Sequence, residues 1–176
     1  MISLSMDTKI YAGIGSRNTP LHVCKGLTWI AETLHGLGYM LRSGGAEGAD
    51  KAFERGARTR KEIFRPIDAT PEAMAEAASV HPAWHYCSEE AKKLHGRNAQ
   101  ILLGYDLTVP AKFVAAYTLT PERGGTSLGL RLAKKHNIMT FNLAVTEEVL
   151  AFTEFLSLEA HLNLGRLTEL MKGNPT

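Results

Sequence analysis

The sequence predicts an α/β fold: a single doubly wound, mostly parallel sheet with helices on both faces. Short apolar runs suited to buried strands alternate with amphipathic stretches suited to helices along the 176 residues. Glycine-rich turns follow three of the apolar runs, and a helical pattern follows each turn. In an open parallel sheet all strand-to-helix turns leave the carboxyl edge, so these three turns are predicted to meet over one crevice.

The predicted strands are apolar runs bounded by turn residues: 9–14, 39–41, 62–65, 112–118 and 138–143. Helical patterns fill the intervals, beginning near positions 17–20, 50, 70, 88, 128 and 146. Asn18 or Thr19 is expected to cap the first helix, Thr70 the third and Ser88 the fourth. The last helix carries an apolar side formed by Val149, Phe152, Phe155, Leu156, Leu162 and Leu167.

The chain is predicted to form one domain over 1–176, with an irregular, lid-like insert around 66–104 and a C-terminal helix over 146–171. Its formal charge of +2 does not by itself indicate nucleic acid, although the segment 55–65 carries a basic run. We expect neither a leader peptide nor a membrane span. Two widely separated cysteines favour a reducing compartment, so a cytoplasmic protein is expected.

The three glycine-rich turns predict a binding site for phosphate groups. Glycine lets the backbone approach a ligand closely, and the first N–H groups of the following helix then point at an anion. A tight bend would explain one such turn equally well, and it is the three together that favour a nucleotide or sugar-phosphate pocket. The predicted ligand-binding residues of the turns are Gly13, Gly15, Ser16, Arg17, Ser43, Gly44, Gly45, Glu47, Asp50, Gly124, Gly125, Thr126 and Ser127.

Five side chains have a predicted chemical role. Arg17 is placed to pair with a phosphate, and a surface salt bridge is its alternative. Glu47 is the candidate catalytic residue, because a carboxylate there can accept ribose hydroxyls or stabilise positive charge at an anomeric carbon. Asp50 is predicted to cap the helix beside it. Arg97 belongs to a polar helix face that borders the crevice, and Trp84 stacks on a base unless it forms a lid packed on the core.

Two common nucleotide motifs are incomplete in this chain. The first turn lacks the third glycine of a dinucleotide fingerprint, since Asn18 stands in its place, and no acidic residue ends the second strand. No Gly-Lys-Ser/Thr follows any of the turns, so a P-loop is also excluded. We therefore expect no cofactor.

Four residues in the middle of the chain suggest a metal: His81, His85, Cys87 and His95. Pro82 prevents a single helix from presenting the first two histidines together. No tetrahedral ligand spacing emerges from the rest, so the sequence predicts no metal site.

Several motifs resemble those of a known superfamily. Gly15-Ser16-Arg17 and the segment 43–50 are similar to the Gly-Ser-Arg and Ser-Gly-x-Ala-x-Gly-x-Asp signatures of the DNA-processing protein DprA, also called Smf. Gly125-Thr126, followed by an amphipathic helix, resembles the Gly-Thr element shared across the superfamily that unites DprA with the LOG-type phosphoribohydrolases. Over 11–143 the chain thus resembles the SLOG superfamily of Rossmann-like proteins. Its middle resembles a branch of small phage and prophage proteins.

The resemblance implies that the protein binds a nucleotide or a nucleotide-derived sugar phosphate, such as a nucleoside monophosphate or an ADP-ribose-like molecule. It would act as a sensor or sponge, or as an N-glycosidic-bond hydrolase. Gly129 stands where LOG-type enzymes carry the catalytic glutamate, so hydrolysis would need Glu47 or Glu122 instead. The alternative is a DprA-like single-stranded DNA-binding protein of DNA processing or recombination, using the segment 55–65. The resemblance also implies a homo-oligomer in a bacterial or phage-infected host cell.

Overall fold

A computed structural model describes residues 9–171, with side chains up to residue 162. Strands and helices alternate along this range: β1 Ile10–Gly15, α1 Leu21–Gly36, β2 Met40–Ser43, α2 Ala49–Ala57, β3 Lys61–Ile63, α3 Pro71–Ala78, α4 Glu89–Leu103, β4 Phe113–Tyr117, α5 Gly124–Lys135, β5 Met139–Asn142 and α6 Thr146–Met171. Two short 3₁₀ turns, Pro66–Asp68 and Trp84–Tyr86, stand before and after α3. The segment 66–104 therefore holds two helices, and its lid character stays a prediction.

The five strands form one parallel sheet in the order β3-β2-β1-β4-β5. The chain first adds β2 and β3 on one side of β1 and then returns to add β4 and β5 on the other. Gly15 and Tyr117 are register partners where β1 and β4 end. Ligands of open α/β sheets bind outside the carboxyl ends at such a switch point. The predicted Rossmann-like α/β fold is confirmed.

Each face of the sheet has its own hydrophobic layer, because successive side chains of a strand point to opposite faces. On β1, Ile10, Ala12 and Ile14 contribute to the layer under α3, α4 and α5. Tyr11 contributes to the opposite layer, under α1, α2 and α6. Phe113 of β4 lies at the centre of that second layer, where its ring stacks on Tyr11 with centroids 5.6 Å apart.

Two of the four predicted helix caps are present. The hydroxyls of Thr70 and Ser88 each accept the backbone N–H of the residue three positions on, at 3.1 and 3.2 Å. The prediction for α1 is wrong, because Pro20 occupies the cap position and no side chain caps the helix. Thr19 instead donates its hydroxyl to a carbonyl of the preceding turn. Its role is therefore to fix the turn rather than the helix.

The last helix buries only part of its predicted apolar side. Phe152 is fully buried, and Phe155 and Leu156 pack against the same layer. Leu162, by contrast, is 69% exposed, and Leu167 lies outside the described side chains. No helix within 9–171 is both long enough and apolar enough to cross a membrane.

Candidate functional site

A cleft of about 430 Å³ lies at the carboxyl ends of β1 and β4. All three glycine-rich turns contribute to its lining, together with one side of α4. The lining residues are Ile14, Gly15, Ser16, Arg17, Ala46, Asp50, Leu94, Arg97, Asn98, Ile101, Leu102, Thr118, Thr120, Arg123, Gly124, Gly125, Thr126 and Gly129. The structure thus brings together turns that are separated by up to 110 positions in the chain.

The Asp50 carboxylate joins the first two turns. It accepts the backbone N–H groups of Gly15 and Gly44, both at 3.2 Å, and that of Ala46 at 3.4 Å. The prediction that Asp50 caps α2 is wrong, because Gly48 occupies the cap position and Asp50 is the second residue of the helix. Its carboxylate holds the shape of the two turns instead.

Burial raises the pKa of Asp50 to about 6, from the ordinary 3.8. Arg97 and the three backbone N–H donors act in the opposite direction, since each of them favours the ionised form. Desolvation is the larger effect. The one carboxyl group in the cleft lining therefore changes its charge close to neutral pH.

Arg97 is a buried guanidinium that α4 directs at the second turn. Its Nη1 donates to the carbonyl of Gly44 at 2.7 Å and is 3.4 Å from that of Phe64. Its Nε is buried and has no hydrogen-bond partner among the described residues. Burial lowers the pKa of Arg97, the Asp50 carboxylate raises it, and Arg17 lowers it again. A buried donor without a partner is rare in folded proteins.

Two glycines of the turns are required by close approach. A Cβ on Gly44 would collide with the Arg97 guanidinium, whose Cζ would be 2.5 Å away. A Cβ on Gly15 would lie 2.6 Å from both Ala49 Cβ and the carbonyl oxygen of Tyr117. Real Cβ atoms do not approach other atoms so closely, so any larger residue would displace a wall of the cleft.

The N-terminus of α5 forms the third side of the cleft. Arg123 is the cap residue and its side chain does not cap the helix, so the first N–H groups have no side-chain acceptor there. Gly125 is held in place by Asn98 of α4, whose side-chain amide donates to its carbonyl at 3.2 Å. Arg17 and Arg123 are exposed at the mouth, while Arg97 lies inside. Helix dipole and three guanidinium groups all favour an anion.

The predicted site residues divide into two groups. Those that line the cleft are Gly15, Ser16, Arg17, Asp50, Arg97, Gly124, Gly125 and Thr126. Those outside the lining are Gly13, Ser43, Gly44, Gly45, Glu47, Ser127 and Trp84. Several of the second group support the first: the Ser43 hydroxyl, for instance, donates to the carbonyl of Gly13 at 2.6 Å and ties β2 to β1.

Glu47 and Trp84 lie away from their expected positions. Glu47 is exposed in the turn before α2 and is not part of the cleft lining. Trp84 packs against the hydrophobic layer under α4, with its ring 6.3 Å from that of His95. The alternative considered for Trp84, packing on the core, therefore describes its environment.

Sequence reasoning missed some of the lining. Thr118 and Thr120 follow β4 directly, and the rule that ligands bind beyond the carboxyl ends of strands would have found them. Arg123, directly before Gly124, also lines the cleft and is not among the predicted site residues. The apolar wall formed by Leu94, Ile101 and Leu102 has no local signal, since an inward-facing helix side reads in sequence as core.

Gly129 also lines the cleft. A Cβ at this position would approach Cδ1 of Ile14 to 2.7 Å. The place that resembles the catalytic glutamate position of LOG-type enzymes thus carries no carboxylate, and a longer side chain would require Ile14 to move. Asp50 remains the one acidic residue in the lining.

Three of the four residues considered for metal binding come together, contrary to the expectation from sequence. Ligand atoms of His81, Cys87 and His95 lie within 4.8 Å of one another. The 3₁₀ turn Trp84–Tyr86 folds the segment back on itself, so no single helix is needed to align them. His85 is exposed and outside this cluster.

No family model and no curated protein matches the chain. Among solved structures, it is similar to DNA processing protein A from Helicobacter pylori, described for its single-stranded DNA binding mode. The fold resembles that of DNA processing protein A. The TM-score is 0.53 with 19% sequence identity, over 77% of this chain and 66% of that one. The likeness supports the Rossmann-like fold expected from the SLOG resemblance, and the chain spans about two thirds of that protein.

Proposed function

We propose that the protein binds a nucleotide or nucleotide-derived sugar phosphate in the cleft at the carboxyl edge of the sheet. The observation that carries this proposal is the convergence of Arg17, Arg97 and Arg123 with the uncapped N-terminus of α5 around one cavity. Each of these features favours a phosphate on its own. Together they favour it more strongly than any one of them does.

The size and lining of the cleft suit a ligand larger than inorganic phosphate. Its volume of about 430 Å³ falls within the range of about 300–1,000 Å³ that small-ligand pockets occupy. In the proposed pose, the phosphate lies against Gly125 and Thr126 with Arg17 and Arg123 beside it. The base lies along the apolar side of α4 rather than on Trp84, since that ring packs elsewhere.

We infer binding rather than cleavage of the N-glycosidic bond. A hydrolase of this kind needs a carboxylate near the anomeric carbon. Glu47 and Glu122 are outside the lining, Gly129 offers no carboxylate, and both oxygens of Asp50 already accept backbone N–H groups. A sensor or a sponge for the nucleotide needs only the binding site.

The test is calorimetric titration of the protein with AMP and with ADP-ribose. A charge-assisted hydrogen bond contributes about 1.5–3 kcal/mol, so Arg17→Ala and Arg123→Ala are each expected to weaken binding roughly tenfold or more. Arg58→Ala is the matched control, because Arg58 is exposed on another surface and pairs with Glu32 at 3.8 Å. Equal affinities for the wild type and both cleft variants would contradict the proposal.

Cleavage is tested on the same samples. Chromatography of the nucleotide after incubation is expected to show no free base above the no-protein blank. Base release that disappears in Glu47→Gln or Asp50→Asn would instead establish the hydrolase interpretation and identify its acid–base group.

A second candidate function is binding of single-stranded DNA. The similar fold of the Helicobacter pylori protein, whose description names such binding, favours it. The basic surface between α2 and β3 offers a place, with Lys51, Arg55, Arg58 and Lys61. Glu54 pairs with both lysines, at 3.3 and 2.9 Å, and reduces the net charge of this surface. For this reason we rank DNA binding second.

Fluorescence anisotropy with labelled oligonucleotides distinguishes the two functions. If DNA binds the basic surface, affinity falls steeply as salt rises, and Arg58→Ala weakens it while Arg17→Ala does not. In the nucleotide titration, by contrast, Arg17→Ala is expected to weaken binding and Arg58→Ala is not. No anisotropy change at low salt would remove the DNA candidate.

Homo-oligomer formation is also a proposal. Large apolar side chains are exposed on α1 and α6, among them Trp29 at 63% and Leu158 at 65%. Exposed apolar surface of this kind is typical of subunit contacts. Light scattering is expected to give a mass above that of the 19.3 kDa monomer.

A further inference from the structure

His81, Cys87 and His95 form a compact group beside α4. Each offers one potential ligand atom, and these atoms all lie within 4.8 Å of one another. The shortest separation described, between Cys87 Sγ and His81 Nε2, is 3.6 Å. Two ligands of one tetrahedral ion, bonded at about 2.0–2.3 Å, stand about 3.5 Å apart. The cluster is therefore close to the dimensions of a metal site.

The cluster also has the burial and the unused donor atoms of such a site. All three residues are half-buried. Nδ1 of His95 is buried and has no hydrogen-bond partner in the described part of the chain. Trp84 contacts both imidazoles, with ring centroids 5.9 Å from His81 and 6.3 Å from His95, and covers one side of the group. Without a bound ion or another partner, a buried nitrogen of this kind lowers the free energy of unfolding.

The types of ligand indicate which ion fits the cluster. A thiolate with two imidazoles is a set that zinc accepts readily, whereas calcium and magnesium require oxygen ligands.

We propose that His81, Cys87 and His95 bind a zinc ion, with the fourth tetrahedral position left for water. On binding, the Cys87 thiol releases its proton to solvent as the sulfur–zinc bond forms, and the two histidines bind as neutral rings. This site is separate from the phosphate cleft and does not depend on the function proposed for it.

Hydrogen bonds of both Cys87 and His81 have to change when the ion binds. The Cys87 thiol gives up its bond to the carbonyl of Ala83, at 3.7 Å, together with its proton. The backbone N–H of Ala83 donates to Nδ1 of His81 at 3.1 Å, so the ring proton of the metal-free form is on Nε2, facing Cys87. Ligation through Nε2 moves that proton to Nδ1 and releases the amide. Because Ala83 is exposed, water can take the place of this acceptor.

The ion would connect the irregular segment 81–87 to α4. His95 follows Leu94 and is two residues before Arg97, both of which line the cleft. Fixing the turn against this part of α4 would stiffen the wall that holds the guanidinium. The ion would thus stabilise this wall of the cleft, while its open position stays accessible to solvent ligands.

Cobalt is the test ion, because a tetrahedral cobalt–thiolate site absorbs in the near ultraviolet and visible. Chelator-treated wild-type protein is expected to bind one equivalent of Co²⁺ with a thiolate charge-transfer band, and Zn²⁺ should displace it. Cys87→Ser should lose that band, and His95→Ala should bind at least tenfold more weakly. Cys24→Ser and His85→Ala are matched controls that should behave as the wild type, since both residues lie outside the cluster.

Three results would overturn the proposal. They are an absence of cobalt binding by the wild type, a band that survives in Cys87→Ser, and a band that is lost in Cys24→Ser. Thermal unfolding gives a second readout on the same samples. Zn²⁺ is expected to raise the Tm of the wild type and of His85→Ala but not that of Cys87→Ser. An equal rise in all three would mean that zinc binds elsewhere.

Discussion

Asp50 is expected to make the folded chain less stable as the pH rises from about 4 to about 7. Burial raises the pKa of its carboxyl to about 6, from 3.8. Between these two pKa values the folded chain keeps a proton that the unfolded chain has released. The contribution of Asp50 to the unfolding free energy is therefore largest below the pKa of the unfolded chain, and it is lost as the pH rises through the pKa of the folded chain. At about 1.4 kcal/mol per pH unit, the loss amounts to about 3 kcal/mol.

Urea unfolding of the ligand-free protein at several pH values measures this effect. The useful quantity is the unfolding free energy of the wild type minus that of Asp50→Asn, because all other titrating groups are common to both proteins. This difference is expected to fall by about 3 kcal/mol between about pH 3, below the unfolded pKa, and about pH 7. Asp68→Asn is the control, since Asp68 is partly exposed, pairs with Arg65 at 3.1 Å and is not part of the cleft lining.

A constant difference would refute the reasoning, and so would one that increases with pH. A constant difference would mean that Arg97 and the three backbone N–H donors balance the desolvation of the carboxylate, and an increasing difference would mean that they outweigh it. The carboxylate would then be a stabilising centre of the two turns at neutral pH, in the way that most paired aspartates are.

Three further expectations concern the turns and one helix. Gly44→Ala should displace Arg97, lower the unfolding free energy by about 1–3 kcal/mol and weaken nucleotide binding. Gly26→Ala is the control in urea unfolding and should not destabilise the fold, because an added Cβ there meets nothing within 4 Å. Binding of a phosphodiester ligand should tighten as the pH falls through about 6, because protonated Asp50 no longer repels the anion; calorimetry with Asp50→Asn, which should show no such trend, is the check. Thr70→Ala should cost about 1 kcal/mol of unfolding free energy by removing the cap of α3, with unchanged nucleotide affinity; a loss of affinity would show that α3 is coupled to the cleft.

The fold was accessible from sequence because its signals are local. Apolar runs and helical periodicity indicate each element without knowledge of its neighbours, as the Thr70 and Ser88 caps illustrate. The crevice followed from one general rule, that strand-to-helix turns of a parallel sheet leave at the same edge. Element bounds shifted by one to four residues, as at β3, where pairing with β2 covers Lys61–Ile63, and at α5, which begins at Gly124.

The interior of the site was less accessible because it depends on tertiary contacts. Asp50 was expected to cap its own helix, since sequence shows the adjacent N–H groups but not the amide of Gly15, 35 positions away. Arg97 was placed near the crevice, yet its contact with Gly44 requires α4 to cross the second turn. The cluster around Cys87 was missed for the same reason, because a 3₁₀ turn rather than a helix aligns it.

The most direct test of the central claim is an NMR titration of the ¹⁵N-labelled protein with ADP-ribose. The backbone amides of Gly15, Ser16, Gly125 and Thr126 line the cleft on two separate turns. They are expected to shift together and to saturate with one common dissociation constant. If these amides stay unchanged while those near Arg58 shift, or if nothing shifts at millimolar ligand, the cleft is not the binding site.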